Sequence, residues 1–319
     1  MGQSQESTAT NAPSMKGVTF SVIVMTFNRP GPLRRCLESL ASQSLPSDQF
    51  EVVLVDASDV PVVDVVAEFS GRLRLVHLPG PNRGVAGNRN RGADAASAQL
   101  LAFLDDDCVA HTIWLERLSR ACRENPGALI GGGVENPHAE NTYAAAGQVI
   151  TAAVDSFFNP PGQEPRFFPG LNFAVERAAY LAIGGCDAGF GRLAAEDRDF
   201  IDRWRTSGRR LAACQEAIVR HEHRGSLRGF MKQYFNYGRG AWRYHRLRAR
   251  RGSGVMSEDT KLHLQLRHHL RPHLQPLPLW MRVKVILLLC AWQVANAAGF
   301  CWQAVTEACG KRPDGVDRL

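Results

Sequence analysis

Five apolar residues, Leu100-Leu101-Ala102-Phe103-Leu104, run without a break into three carboxylates, Asp105-Asp106-Asp107. An unbroken apolar run of that length reads as a strand buried on both faces, as in a mostly parallel sheet. Adjacent carboxylates at the exit of such a strand repel one another strongly unless a cation sits among them. In open α/β sheets, ligands bind outside the carboxyl ends of the strands, which is where this triplet falls. Hard oxygen donors suit Mg2+ or Mn2+, ions that bridge to a substrate's phosphates.

The surrounding pattern agrees with a sheet of that kind. Phe20–Met25, Phe50–Val55, Leu73–Leu78 and Leu100–Leu104 are the expected strands. Between and after them, Pro32–Ser42, Val62–Phe69, Val85–Ala98 and Thr112–Glu124 carry helical spacing. A β-α-β-α order of this sort predicts an α/β fold with a mostly parallel sheet flanked by helices. Residues 137–169 are less regular, and Pro160-Pro161-Gly162 marks a loop. Regularity resumes with a strand at Leu171–Val175 and a helix opening at Glu196-Asp197, where acidic residues also suit the helix dipole.

At 319 residues the chain has room for one large domain with an appendage. Its formal charge of +7 favours anionic partners such as nucleotides, lipid headgroups or nucleic acid. The eight cysteines form no CxxC pair, which argues against a zinc site or a disulfide framework and for reduced thiols in the cytosol. Met1–Gly17 is rich in Ser, Thr, Gln and Ala, has no apolar core, and reads as a disordered tail rather than a signal peptide. Glu6 stands where a myristoylation motif needs Ser or Thr.

A series of motifs then follows in order: Ser21-Val22-Ile23-Val24-Met25-Thr26-Phe27-Asn28-Arg29, Val53-Leu54-Val55-Asp56, Asn82-Arg83-Gly84 with Arg89-Asn90-Arg91-Gly92, and Phe103–Asp107. Gly170-Leu171-Asn172-Phe173-Ala174-Val175, Ile183-Gly184-Gly185-Cys186-Asp187 and Glu196-Asp197-Arg198-Asp199-Phe200 complete it. Taken together, in this order and spacing, they resemble the family 2 glycosyltransferases of GT-A fold, over about Phe20 to Gly240. The resemblance implies a Rossmann-like sheet, an inverting and metal-dependent transfer, and a nucleoside-diphosphate sugar as donor. It also implies a division into a tail (1–17), a GT-A domain (18–224) and a basic, apolar helical C-terminal region (225–319).

Carried over residue by residue, the resemblance assigns Thr26, Phe27, Asn28 and Asp56 to the nucleotide and Arg89 to the diphosphate. Asp105 and Asp106 would lie towards the ribose, with Asn172 and Gly185 completing the donor site. Asp107 would hold the divalent metal, with His221 as a further ligand and His223 as its substitute. Asp197 would be the base that takes the acceptor's proton, with Glu196 orienting the acceptor or polarising Asp197. Two positions depart from the common pattern: Ala57 replaces a frequent second aspartate, and Cys186 replaces a phenylalanine.

After residue 224 the chain becomes long, helical and basic up to Arg251, then breaks at Gly252–Gly254 and ends in an apolar segment, Leu277–Val305. Val285–Trp302 is nearly long enough to span a bilayer, but Gln293 and Asn296 interrupt it. A buried or interfacial helix is the expectation, with Trp280, Arg282 and Lys284 able to anchor it at a membrane surface. Gln233–Gly240 resembles a stretch that follows the catalytic domain in relatives and would close over the donor or shape the acceptor groove. Neither a Gln-x-x-Arg-Trp motif nor a series of spans is present, which points to transfer of one or a few sugars rather than extrusion of a polymer. The hydroxyl acceptor is left open among lipid-linked glycans, small or secondary metabolites and peptides. The expected location is cytoplasmic, peripheral to the inner face of the membrane. Two other functions fit parts of the chain: a nucleic-acid binding protein using the basic helix, and a catalytically silent nucleotide-sugar binding protein. The acidic clusters speak against the first, and the presence of both Asp107 and Asp197 against the second.

Overall fold

The computed structural model describes residues 19–138, 140–223, 225–254 and 256–310, so the expected disordered tail lies outside the described residues. Its centre is an eight-stranded sheet of order β3-β2-β1-β4-β7-β6-β8-β5. β1 (Phe20–Thr26), β2 (Phe50–Asp56), β3 (Leu75–Pro79) and β4 (Leu100–Asp105) run parallel, as the alternation of elements predicts. α1 (Pro30–Ala41), α2 (Val63–Phe69) and α3 (Gly84–Ala95) link them. Beyond β4 the sheet turns mixed. β7 (Asn172–Glu176) is antiparallel to both β4 and β6 (Leu129–Glu135), β8 (Leu211–His221) is parallel to β6, and β5 (Cys108–Ala110) closes the edge.

The period of two along the parallel strands divides their side chains between two cores. Val22, Val24, Val52 and Leu54 pack with Leu33 and Leu37 of α1 and Leu118 of α4 (Trp114–Glu124). Ile23 and Val53 face the other way, towards Ala86 and Ala93 of α3 and towards Phe200 and Trp204 of α7 (Glu196–Thr206). Strands covered on both faces have no room for alternating polar residues, which is why they are continuous apolar runs. Register then aligns their exits: Thr26 lies opposite Asp56, and Met25 opposite Asp105.

The irregular stretch 137–169 contains a helix that its sequence conceals. α5 (Thr142–Phe158) is capped by Asn141, whose side chain accepts from the N–H groups of Tyr143 and Ala144. Ala144, Ala145, Ala146, Val149, Ile150 and Ala153 are all buried, so the helix lacks a polar face wide enough to show a period. It packs with Phe230 and Tyr234 of α8 (Leu227–Arg251), Leu270 of α9 (Met256–Leu274), and Val285 and Trp292 of α10 (Leu279–Ala308). α8 and α10 approach closely because Gly238 and Gly299 face each other's helices. A Cβ on Gly238 would strike the Asn296 carbonyl oxygen, and one on Gly299 that of Phe235.

The arginines of α8 are largely engaged inside the molecule. Arg243 pairs with Asp187 at 3.0 Å, Arg248 with Asp202 at 3.1 Å, and Arg246 with Glu307. Arg251 reaches Asp199 at 2.7 Å and Asp202 at 2.9 Å on α7. The basic run therefore serves to clamp α8 onto α7 and α10, and the nucleic-acid reading loses the free cationic stripe it requires.

Candidate active site

The exits of β1, β2 and β4 form one edge, and the acidic triplet occupies its middle. The three carboxylates do not share an environment. The side chain of Asp105 is 31% exposed and that of Asp107 12%, whereas Asp106 is fully enclosed. Asp106 accepts from the Thr26 hydroxyl at 2.7 Å and from Arg29. Burial pushes its carboxyl up to about 7, against the pull of Arg29 and with the push of Asp107. The triplet therefore presents its first and third members to the cleft, while the second is an internal support. This differs from the expectation that Asp106 contacts the donor, and the reason is steric: Thr26 and Arg29 already surround it.

Arg29 is the residue whose part here the motifs alone do not reveal. Its Nη1 lies 2.6 Å from an Asp107 oxygen while Nη2 holds Asp106, so one guanidinium bridges two of the three carboxylates. The other Asp107 oxygen lies 3.6 Å from Nε2 of His221, at the end of β8. His223 is engaged elsewhere. Its Nε2 bonds to the Gln148 side chain at 3.1 Å, and burial together with neighbouring His221 pushes its pKa down to about 3, which keeps the ring neutral. Among the described residues no three His, Cys, Asp or Glu side chains form a closed cage. One oxygen and one nitrogen donor converging at the cleft do fit an ion that takes its remaining ligands from water and substrate phosphates.

Two expected donor residues shape the β1 and β2 exits, Asp56 buried and Asn28 exposed. Asp56 accepts from the backbone of Val62 (2.8 Å) and Ser58 (3.0 Å) and contacts His77 (3.0 Å). Burial alone would raise its pKa, but these hydrogen bonds outweigh it and hold the carboxyl below the usual range. Asn28, at a positive φ of 56°, ties the two exits together through Asp59 at 2.7 Å. Phe27 projects into solvent beside them.

Below the cleft lies a buried ion pair. Arg89 of α3 donates to Glu196 at 2.7 Å and to the Gly170 carbonyl at 2.9 Å, and approaches Asp105 at 3.4 Å. It is almost wholly enclosed, so it joins α3, β4, the loop before β7 and α7 from beneath rather than lining the surface. Burial, with Asp197 beside it and Arg89 opposing, pushes Glu196 up to about 7. Asp197 itself is held by the N–H of Gly170 at 2.9 Å and that of Arg198 at 2.7 Å. The Gly170 backbone thus connects the pair: its carbonyl accepts from Arg89 and its N–H donates to Asp197. From α8, Tyr237 comes near enough to feel the charges of Asp197, Glu196 and Asp105, which push its hydroxyl up, while that hydroxyl accepts from the Gln233 side chain at 3.2 Å. Tyr237 lies within the motif 233–240, but only the fold sets it within range of these charges.

Asn172 and Gly185 are placed elsewhere. Asn172 is fully buried, donates to the carbonyls of Gly133 (2.8 Å) and Ala217 (2.9 Å), and accepts from the Trp114 indole (2.9 Å). With its amide occupied in stitching β6, β7 and β8 together, it has nothing to offer a donor. Gly185 is a turn at φ 62°, with its N–H on Tyr180 and its carbonyl bound by Arg203.

The family model described as Glycosyl transferase family 2 matches residues 21–190. Validoxylamine A glucosyltransferase of Streptomyces hygroscopicus subsp. limoneus is 36% identical over 227 residues, covering 62% of this chain and 50% of that protein. Glucosyl-dolichyl phosphate glucuronosyltransferase of Haloferax volcanii is 26% identical over 216 residues, covering 63% and 68%. The chain spans about half the length of most curated relatives it matches. Among solved structures, the mannosyltransferase PcManGT from Pyrobaculum calidifontis, in complex with GDP-Man and Mn2+, aligns with a TM-score of 0.57. That alignment covers 92% of this chain and 81% of the other at 18% identity, and shows a common fold.

Proposed function

The chain belongs to glycosyl transferase family 2 and is a glycosyltransferase, and on that premise we propose that it is an inverting, metal-dependent enzyme. It would move a sugar from a nucleoside diphosphate to a hydroxyl acceptor. The observation that carries this reading is that Asp107 and Asp105 open at the strand exits while Asp197 is linked to the same floor through Gly170 and Arg89.

Asp107 and His221 would hold a divalent cation, Mg2+ or Mn2+, whose charge offsets the charge developing on the departing diphosphate. Arg29 adds a fixed positive charge beside Asp107. Phe27 offers a face for the nucleobase, and Asn28 and Asp56 shape the loops around it. Asp105 faces the ribose, with Thr26 and Asp106 supporting it from below.

An alcohol is a poor nucleophile at neutral pH, so its attack on the anomeric carbon needs a base. Asp197 takes that proton, its carboxylate fixed by two backbone N–H groups. Arg89 and Glu196 act as positioning residues that fix the start of α7 against β4. A single displacement of this kind inverts the sugar.

The names of the two curated relatives, one acting on validoxylamine A and one on a dolichyl phosphate glycan, support a secondary metabolite or lipid-linked glycan as acceptor. A cytoplasmic site at the membrane surface fits α10, which is long and apolar enough to cross a bilayer yet a third buried against the protein.

The test uses two variants. UDP, GDP and dTDP are titrated with and without Mn2+, and sugar transfer is measured in parallel. Asp197→Asn should lower transfer by about 10²–10⁴-fold while leaving nucleotide affinity unchanged; Asp107→Asn should abolish the Mn2+-dependent part of binding. Full transfer by Asp197→Asn, or an unaltered Mn2+ titration for Asp107→Asn, would overturn the assignment.

A further inference from the structure

We propose that Arg29 sets which divalent cation the site accepts: by holding one oxygen of Asp107 it leaves that carboxylate a single oxygen for the ion, which favours Mg2+ or Mn2+ over Ca2+. That role presupposes Asp107 and His221 as the cation's ligands, as proposed above. The two oxygens of Asp107 face different neighbours. One lies 2.6 Å from Nη1 of Arg29, and the other 3.6 Å from Nε2 of His221. Two donors that share an ion at about 2.1 Å each are at most about 4.2 Å apart, so the second oxygen and His221 meet that limit without rearrangement.

Backbone pairing fixes this arrangement from both sides. β5 and β8 pair antiparallel with Cys108 opposite His221, and the Glu222 N–H donates to the Asp107 carbonyl at 3.0 Å, so Asp107 and His221 leave the same ladder as neighbours. Arg29 is equally confined. Asn28 before it is tied to Ser58 at 2.9 Å and to Asp59 at 2.7 Å, and Pro30 after it opens α1. Its Nη2 is held by Asp106, which is fully enclosed and also accepts from Thr26. Swinging the guanidinium away would strand a carboxylate in the interior, so Arg29 stays on Asp107 when an ion arrives.

Cations differ in what they ask of a carboxylate. Mg2+ demands a near-octahedral shell and needs only one oxygen from each carboxylate, completing the shell with water and phosphate; octahedral oxygen sites also suit Mn2+. Ca2+ takes about six to eight oxygens and gains from a carboxylate that gives both. An ion gripped by both Asp107 oxygens would sit against the Arg29 guanidinium, and like charges at that range repel. Neither neighbour in the triplet replaces the missing oxygen: Asp106 is enclosed, and Asp105 approaches Arg89 at 3.4 Å.

Calorimetric titration of the full chain with UDP, GDP and dTDP in EDTA, in Mn2+ and in Ca2+ gives the gain in nucleotide affinity that each cation supplies. In wild type the gain should be larger with Mn2+ than with Ca2+ by about tenfold or more. Arg29→Gln frees the second Asp107 oxygen and removes the adjacent charge, so the ratio of the Mn2+ gain to the Ca2+ gain should fall about tenfold. Arg29→Lys keeps a charge for Asp106 but has no second arm for Asp107, and gives the same fall if the Gln variant fails to fold. A residue that merely braced the loop would lower both gains together and leave their ratio unmoved; that result, or a wild type served equally by Ca2+, would overturn the role of Arg29. A Mn2+ gain that Asp107→Asn abolishes, with an unmoved ratio in Arg29→Gln, sinks this role alone. No cation-dependent gain in wild type sinks the donor-site reading along with it.

Discussion

From β1 to β4, each element carries its own signal and the parallel strands end on one chemical edge. The helices α5 and α8–α10 are joined instead by long-range features: facing glycines, ion pairs to α7, and apolar faces with no partner nearby in sequence. The two regions meet at α7, whose first turn carries Glu196 and Asp197 and whose later turns carry Asp199 and Asp202, held by Arg248 and Arg251 of α8. The comparison teaches that the acidic triplet is set by the sheet edge, while the helical region holds α7, which carries Glu196 and Asp197, against it.

The largest expected effect breaks the sheet side of that comparison. Arg89→Met leaves Glu196 buried without its cation and should destabilise the protein by about 3–5 kcal/mol, read by urea unfolding. A stability near wild type would show that the pair does not anchor α7.

A pH series sharpens the same point. Glu196 is raised from 4.5 to about 7 in the folded protein, chiefly by burial. The folded state therefore binds more protons than the unfolded chain between those values, so this contribution is full below about 4.5 and is lost as pH rises through about 7. Glu196→Gln should flatten that decline relative to wild type; parallel stability curves from pH 5 to 8 would contradict it.

On the helical side, Gly299→Val should cost about 1–3 kcal/mol by pushing α10 off the Phe235 carbonyl. Thermal unfolding should show a lower midpoint, and an unchanged midpoint would mean that α8 and α10 separate freely. The smallest stability change belongs to the exposed face of α10. Leu287→Glu with Val294→Glu should alter stability by less than about 0.5 kcal/mol, since both side chains face solvent. Sedimentation with anionic vesicles should nevertheless fall sharply, and equal sedimentation would remove α10 as a membrane contact.

Legibility in the sequence followed the same division. The four parallel strands were readable because burial on both faces leaves only apolar residues, as in Phe50–Val55. β6 was not, because Gly131, Gly132 and Gly133 interrupt its apolar pattern, and α5 was not, because it is apolar on nearly every side. Asp105, Asp107 and Asp197 stood out as chemical groups in order. Which of the triplet faces the cleft depends on Thr26 and Arg29, some eighty residues away in the chain. Likewise, motif order cannot tell that Asn172 stitches the sheet, or that Arg89 meets Glu196 across 107 residues.

The configuration at the anomeric carbon of the first product, read by proton NMR before mutarotation, tests the central claim most directly. A single displacement assisted by Asp197 predicts a product with the configuration opposite to that of the donor sugar. Retention of the donor's configuration would contradict it.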